Sequence, residues 1–283
     1  MARNSGDRLG ASAVAAAGAP ISEAPPNPML AFATPTTFVT LPSRGSLYPE
    51  NHPLHGREEL EIRFMTAKEE DILTSQSLLK KGIAIDRMLQ SIILDPKVKV
   101  EEIAVGDKNA LIVAARISGY GKDYEVGVTC PSCNSQTEFS FDLEKHSINY
   151  GEDLEEFDVV KTTQGTFMIK TPTLGVEVEL RPMYGSDERY LSQLTASKRR
   201  KNLPETVLTD QLKRLVLSVN GDNSSQVREA FIQNAPALDT RYIRQAYRQV
   251  MPNIDLTQEF VCSSCGVETE MAVPLTAKFF WTQ

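Results

Sequence analysis

An α+β fold is predicted, in which a helical N-terminal region precedes two remote β-hairpins that close on one another. Three observations predict it. Helical periodicity dominates residues 66–120, strand alternation flanks each of two Cys-x-x-Cys turns, and the second turn repeats the first without a gap.

The repeat carries the most information. The stretch CPSCNSQTEFSFDL, from Cys130 to Leu143, lies over CSSCGVETEMAVPL, from Cys262 to Leu275. This places Cys130 on Cys262, Ser132 on Ser264, Cys133 on Cys265, Thr137 on Thr269, Glu138 on Glu270 and Leu143 on Leu275, with Phe139 and Phe141 opposite Met271 and Val273. Each copy reads as strand, tight cysteine turn, strand. A lone Cys-x-x-Cys leaves redox exchange, metal binding and buried thiols all open. A second copy in register favours a split zinc ribbon, two knuckle hairpins bringing Cys130, Cys133, Cys262 and Cys265 to one structural Zn2+. Redox chemistry of the thioredoxin type needs the motif to open a helix, and here a strand follows it. Four thiolates also fill the coordination sphere, which leaves a catalytic zinc no position for water.

Residues 134–261 separate the two pairs, far more than the roughly 15–20 residues usual between such pairs. Closing a flexible loop of that length costs about 4 kcal/mol. A structural zinc site contributes roughly 10–16 kcal/mol in small peptides, so the metal term wins. The intervening segment is therefore expected to be a large, self-standing α/β insertion whose ends lie close together.

The elements follow in chain order. Residues 1–37, rich in Ala, Pro, Ser and Gly, read as a flexible arm with too few large side chains to offset ordering. The stretch from Thr37 to Gly56 reads as an irregular segment laid over a surface, and Leu60, Ile62 and Phe64 alternate as a strand. Thr66 and Glu69 form a capping-box pattern for a helix that Gly82 ends. Asp86–Leu94 reads as a second helix, and a third begins with Asp107 as its cap and carries Leu111, Ile112, Ala115 and Arg116. Within the insertion, an acidic loop at 149–160 precedes two strands at 165–172 and 175–182. Helices capped by Ser186, opened by Pro204 through Val219, spanning Ser224–Asn234, and capped by Asp239 come next. The domain boundaries expected are an arm at 1–37, an extended and helical region at 38–120, the ribbon at 121–145 with 256–276, the insertion at 146–255, and an aromatic tail at 277–283.

Composition narrows the function. A formal charge of -7 across 283 residues argues against general affinity for nucleic acid or anionic membrane, and four thiolates around a divalent ion make the balance more negative still. No stretch approaches the ~20 apolar residues of a membrane span. The opening residues lack the large apolar run of a secretion signal, so synthesis in a reducing cytosol is expected, where the cysteines are thiolates. None of the three histidines, His52, His55 and His146, sits beside a nucleophile or carboxylate pair, and no phosphate-binding loop or hydrolase motif is present. No enzyme is expected. The basic run Ser197–Asn202 reads as a solvated helix end rather than a phosphate contact. Phe279, Phe280 and Trp281 either pack into their own chain or dock on a neighbouring subunit.

Four stretches, LPSRGSLYP (Leu41–Pro49), IRFMTAKEEDIL (Ile62–Leu73), LLKKGIAIDRMLQSIILDP (Leu78–Pro96) and GDKNALIVAARISGYGKDYEVGVTCPSC (Gly106–Cys133), together resemble the T4-type bacteriophage baseplate protein family over residues 38–145. The resemblance implies a non-enzymatic component of a contractile-tail baseplate, in the hub region or its assembly, found in the host cytoplasm and then in the virion. It brings no catalytic residues. Other tail proteins are the partners implied, with Arg44, Tyr48, Phe279, Phe280 and Trp281 as candidate contacts. The sequence also fits two other readings. One is a nucleic-acid-binding zinc-ribbon module; the other is a transient assembly chaperone absent from the virion.

Overall fold

Strand alternation around Leu60 and Ile62 forms the first sheet. The computed structural model describes residues 33–151, 157–274 and 279–280. Strands β1 (Thr36–Thr40) and β2 (Glu59–Arg63) pair antiparallel, burying Leu60 and Ile62. Between them the chain does not lie on the surface as expected. Leu41, Leu47, Tyr48 and Leu54 are all buried in the core. The Arg44–Gly45 turn permits this, because both residues take positive φ and a Cβ on Gly45 would sit 2.4 Å from the backbone nitrogens of Gly56 and Arg57.

Glu69 caps the first helix as the sequence predicts, accepting from the Thr66 N–H at 3.0 Å. The single helix expected up to Gly82 is broken, however, into α1 (Ala67–Thr74) and α2 (Gln76–Lys81) at Ser75, whose φ of -63° and ψ of 109° are extended. The Ser/Thr-rich stretch Thr74–Ser77 competes with helix through its hydroxyls, as the Thr74 bond to the Glu70 carbonyl shows. Helices α3 (Ala84–Ile92) and α4 (Val105–Tyr120) follow. Asp107 does not cap α4. It lies in the first turn, buried, and accepts from the Ser43 N–H, the Ser43 hydroxyl and the Tyr48 hydroxyl at 2.8, 2.6 and 2.6 Å. Those donors of the infolded turn outcompete the helix's own N–H groups for the carboxylate.

Two hairpins follow the expected pattern, β3 (Asp123–Thr129) with β4 (Gln136–Asp142) and, after the insertion, β11 (Thr257–Val261) with β12 (Glu268–Ala272). The insertion begins at β5 (Ser147–Asn149) and ends at β10 (Asn253–Asp255). These two strands pair antiparallel and so hold its ends together. Its sheet runs β6 (Val160–Lys161), β7 (Phe167–Lys170), β8 (Glu177–Leu180) and β9 (Val216–Val219) in spatial order, all antiparallel. Part of the acidic loop lies outside the described residues.

Helix α5 (Gly185–Arg200) starts before Ser186, with Asp187 accepting from the Tyr184 N–H at 3.0 Å, so Ser186 is not the cap. Helix α6 (Val207–Leu215) begins after Pro204 and stops where β9 begins. Buried Val216, Ser218 and Val219 pair with β8 there, and sheet burial overrides the helical periodicity. Helix α7 (Ser225–Asn234) is capped by Ser224, and α8 (Ala237–Val250) starts ahead of Asp239. Buried Asp239 instead accepts from the Thr173 and Leu174 N–H groups of the β7–β8 turn, at 2.8 and 3.0 Å.

The insertion packs on the helical region. Val105 donates to the Met183 carbonyl and Gly185 to the Ile103 carbonyl, at 3.0 and 2.9 Å. Gly106 allows α4 to meet the chain entering β10, since a Cβ there would lie 1.9 Å from the Pro252 carbonyl oxygen. One continuous hydrophobic core runs through both, so this segment is not self-standing as expected but shares its core with the helical region.

Candidate metal centre

Each cysteine pair sits in a turn whose shape its sequence sets. In the first, Cys130 donates to the Ser135 carbonyl and Asn134 to the Cys130 carbonyl, at 2.9 and 3.0 Å. In the second, Cys262 donates to the Val267 carbonyl and Gly266 to the Cys262 carbonyl, at 3.0 and 2.9 Å. Both turns need one residue at positive φ, and Asn134 at 56° and Gly266 at 72° supply it. These two residues occupy matching positions in the repeat, and Asn and Gly are the residue types that tolerate this conformation. This Asn–Gly correspondence within the repeat is the sequence signal of the two turns.

The turns meet tip to tip. The Cys130 and Cys265 Sγ atoms are 3.8 Å apart, as are those of Cys133 and Cys262. All four ligand atoms lie within 4.8 Å of one another and could hold a metal ion. A tetrahedron with metal–sulfur bonds of about 2.3 Å has edges of about 3.8 Å, so the donor set fits a four-coordinate thiolate site. Cys130 and Cys262 are buried, whereas Cys133 and Cys265 are exposed. The cluster therefore has an inner side against the core and an outer side toward solvent.

Ser135 joins the two turns. Its Oγ lies 3.0 Å from the Cys133 Sγ and 3.5 Å from the Cys262 Sγ. Hydrogen bonding to this hydroxyl, helped by nearby backbone N–H groups, holds both thiols below the usual range, Cys262 at about 6. In the hairpin strands, Phe139 packs edge-on against Phe141 and Phe260 with ring centroids 4.8 and 5.2 Å away. Phe141 and Val273 are buried and Met271 is packed against the core. Gln258 stitches the hairpins together, accepting from the Asp142 N–H at 3.2 Å and donating to the Asp142 carbonyl at 2.8 Å. Nothing in the sequence pattern singles out that glutamine.

The candidate partner contacts are dispersed. Arg44 is exposed, with its guanidinium 3.7 Å from the Tyr150 ring centroid. Tyr48 is buried under a stacked His52, donates to Asp107, and accepts from the Ala104 N–H at 3.0 Å. Burial, reinforced by Asp107, pushes its phenol far above the usual range. Phe279 and Phe280 are also buried, at 4% and 1% exposure, so in this chain they pack inward. Buried Arg116 holds this tail, its Nε donating to the Phe279 carbonyl at 2.9 Å and Nη1 to the Gly121 carbonyl at 2.9 Å. Trp281 lies outside the described residues. In the basic run, Lys198 pairs with Asp210 and Arg199 with Glu205, which fits the helix-end reading. Among the described residues no helix is long and apolar enough to cross a membrane.

No curated protein and no solved structure matches this chain. The family model described as T4 bacteriophage base plate protein matches residues 34–281, which takes in the helical region, both cysteine turns and the segment between them. With most of its length covered, the chain belongs to the T4 bacteriophage base plate protein family.

Proposed function

We propose that this protein is a non-enzymatic structural or assembly component of the hub region of a contractile-tail baseplate, binding other tail proteins. A structural zinc ion held by Cys130, Cys133, Cys262 and Cys265 ties its split ribbon together. The family match supports the baseplate role. The observation that carries the metal reading is the convergence of the four sulfurs, with 3.8 Å edges, from turns far apart in the chain. Zinc held by four thiolates supplies cross-linking and no open coordination position. Cys130 and Cys262 would hold the ion from the core side, and Cys133 and Cys265 from the solvent side, while Ser135 and the turn amides orient the sulfurs.

On this reading the protein works first in the host cytoplasm and then in the virion tail. Quantitative mass spectrometry of purified virions tests it. A fixed copy number per tail is expected of a permanent subunit. Absence from virions, combined with a requirement for tail assembly, would identify a transient chaperone instead. No dependence of tail assembly on the protein would overturn the proposal. A nucleic-acid-binding ribbon predicts salt-dependent complexes weakened by neutralising Lys198–Lys201, and the acidic net charge of -7 favours the protein-binding role.

A further inference from the structure

The four cysteines differ in their access to solvent. Cys133 and Cys265 are exposed, whereas Cys130 and Cys262 are buried, at 0% and 1% exposure. Each turn contributes one of each kind. The turns meet so that every exposed sulfur touches the buried sulfur of the opposite turn, Cys133 Sγ lying 3.8 Å from Cys262 Sγ and Cys265 Sγ 3.8 Å from Cys130 Sγ. An accessible thiolate with a second cysteine in contact is the arrangement by which cysteines oxidise reversibly. The outer sulfur meets the oxidant and the inner one resolves it.

We infer that this cluster is also an oxidation site, at which a peroxide converts Cys133 with Cys262, and Cys265 with Cys130, into two disulfides that cross between the turns and replace the metal as their link. The departure of zinc rests on the metal reading given above; the pairing of the sulfurs does not.

The chemistry balances with peroxide as the oxidant. The Cys133 thiolate attacks one peroxide oxygen, so an S–O bond forms, the O–O bond breaks and hydroxide leaves. The Cys262 thiolate then attacks the Cys133 sulfur, the S–S bond forms, and the S–O bond breaks with loss of a second hydroxide. The sulfurs give up two electrons and the peroxide accepts them, while water supplies the protons that turn both hydroxides to water. Cys265 and Cys130 repeat the sequence with a second peroxide. Zinc then has no thiolate left to hold it and departs.

The direction of pairing decides what oxidation does to the fold. Disulfides within a turn would leave the two hairpin tips unconnected once the metal had gone. Crossing disulfides keep them joined, so the clasp stays closed in a reducing cytosol through zinc and in an oxidising surrounding through sulfur.

The test treats the whole zinc-loaded chain with hydrogen peroxide in the absence of denaturant. Remaining thiols are alkylated, and unreduced digests are mapped by mass spectrometry with fragmentation inside each Cys-x-x-Cys turn. About one zinc per chain should appear on a chromogenic chelator for about two peroxide molecules consumed. The map should show Cys133 joined to Cys262 and Cys130 to Cys265, reversed by dithiothreitol and zinc. Amide exchange in β3, β4, β11 and β12 should be about tenfold slower in the oxidised zinc-free protein than in reduced protein stripped by chelator. Disulfides within a turn, pairing of Cys130 with Cys262, links between chains, or sulfinic acid at Cys133 or Cys265 would overturn the inference, as would equal exchange in the two zinc-free forms. Protein that holds no zinc when purified under reducing conditions would refute the metal reading alone, since peroxide should join the same sulfurs in it, and any other map there would overturn the pairing.

Discussion

Replacing Glu69 with Gln tests the charge chemistry that ties together the helical region. The Glu69 carboxylate is fully buried and takes hydrogen bonds from Arg63 at 2.7 and 2.9 Å, from Thr66, and from Ser91 at 2.9 Å. It thus links β2, the start of α1, and α3. Burial alone would raise its pKa, but the bonds from Arg63, Thr66 and Ser91 prevail and bring it down to about 2 from an ordinary 4.5. A carboxyl shifted this far on folding contributes roughly 3 kcal/mol when ionised. Because the folded value is the lower one, that contribution is complete above pH 4.5 and disappears as pH falls from 4.5 toward 2. Glu69→Gln removes the ion pair, so urea unfolding at pH 7 should show a loss of roughly 3 kcal/mol, on the order of the linkage value. The gap between wild type and variant should then close through pH 4 and 3. Acid acts on the cysteine cluster of both proteins alike and cancels in the difference. A gap that does not change with pH would refute the assignment of Glu69 as the buried, ion-paired carboxylate.

Three further outcomes are expected. Gly106→Ala puts a methyl group where the Pro252 carbonyl already lies, so α4 must move off the β10 junction; calorimetry should show a loss of roughly 2 kcal/mol or more. Arg116→Met leaves the Phe279 and Gly121 carbonyls without their donor, at a cost of roughly 2–5 kcal/mol, and hydrogen exchange at Phe279 and Phe280 should rise. Ser135→Ala removes the hydroxyl shared by Cys133 and Cys262 and should weaken zinc binding by about 10- to 100-fold in chelator competition, while Ser135→Thr retains most of the affinity.

The repeat made the cysteine cluster legible because two constraints coincide at each turn, sulfur spacing and flanking strand alternation. The same logic located β3, β4, β11 and β12 and the closure of the insertion's ends, seen in the β5–β10 pair. Polar residues were harder to place. Asp107 and Asp239 look like caps because local rules favour Asp at helix starts, yet both carboxylates bond across the fold to Ser43, Tyr48, Thr173 and Leu174. Val216–Val219 continues a helical pattern by periodicity, and only a neighbouring strand makes it β9. Gln258 and Ser135 act through partners more than a hundred residues away in sequence, which no window along the chain can register.

X-ray absorption at the zinc edge, combined with elemental analysis of protein purified without added metal, probes the cluster most directly. About one zinc per chain with four sulfur neighbours at about 2.3 Å is expected. A fully folded protein without bound metal, or a zinc shell containing nitrogen or oxygen in place of sulfur, would contradict it.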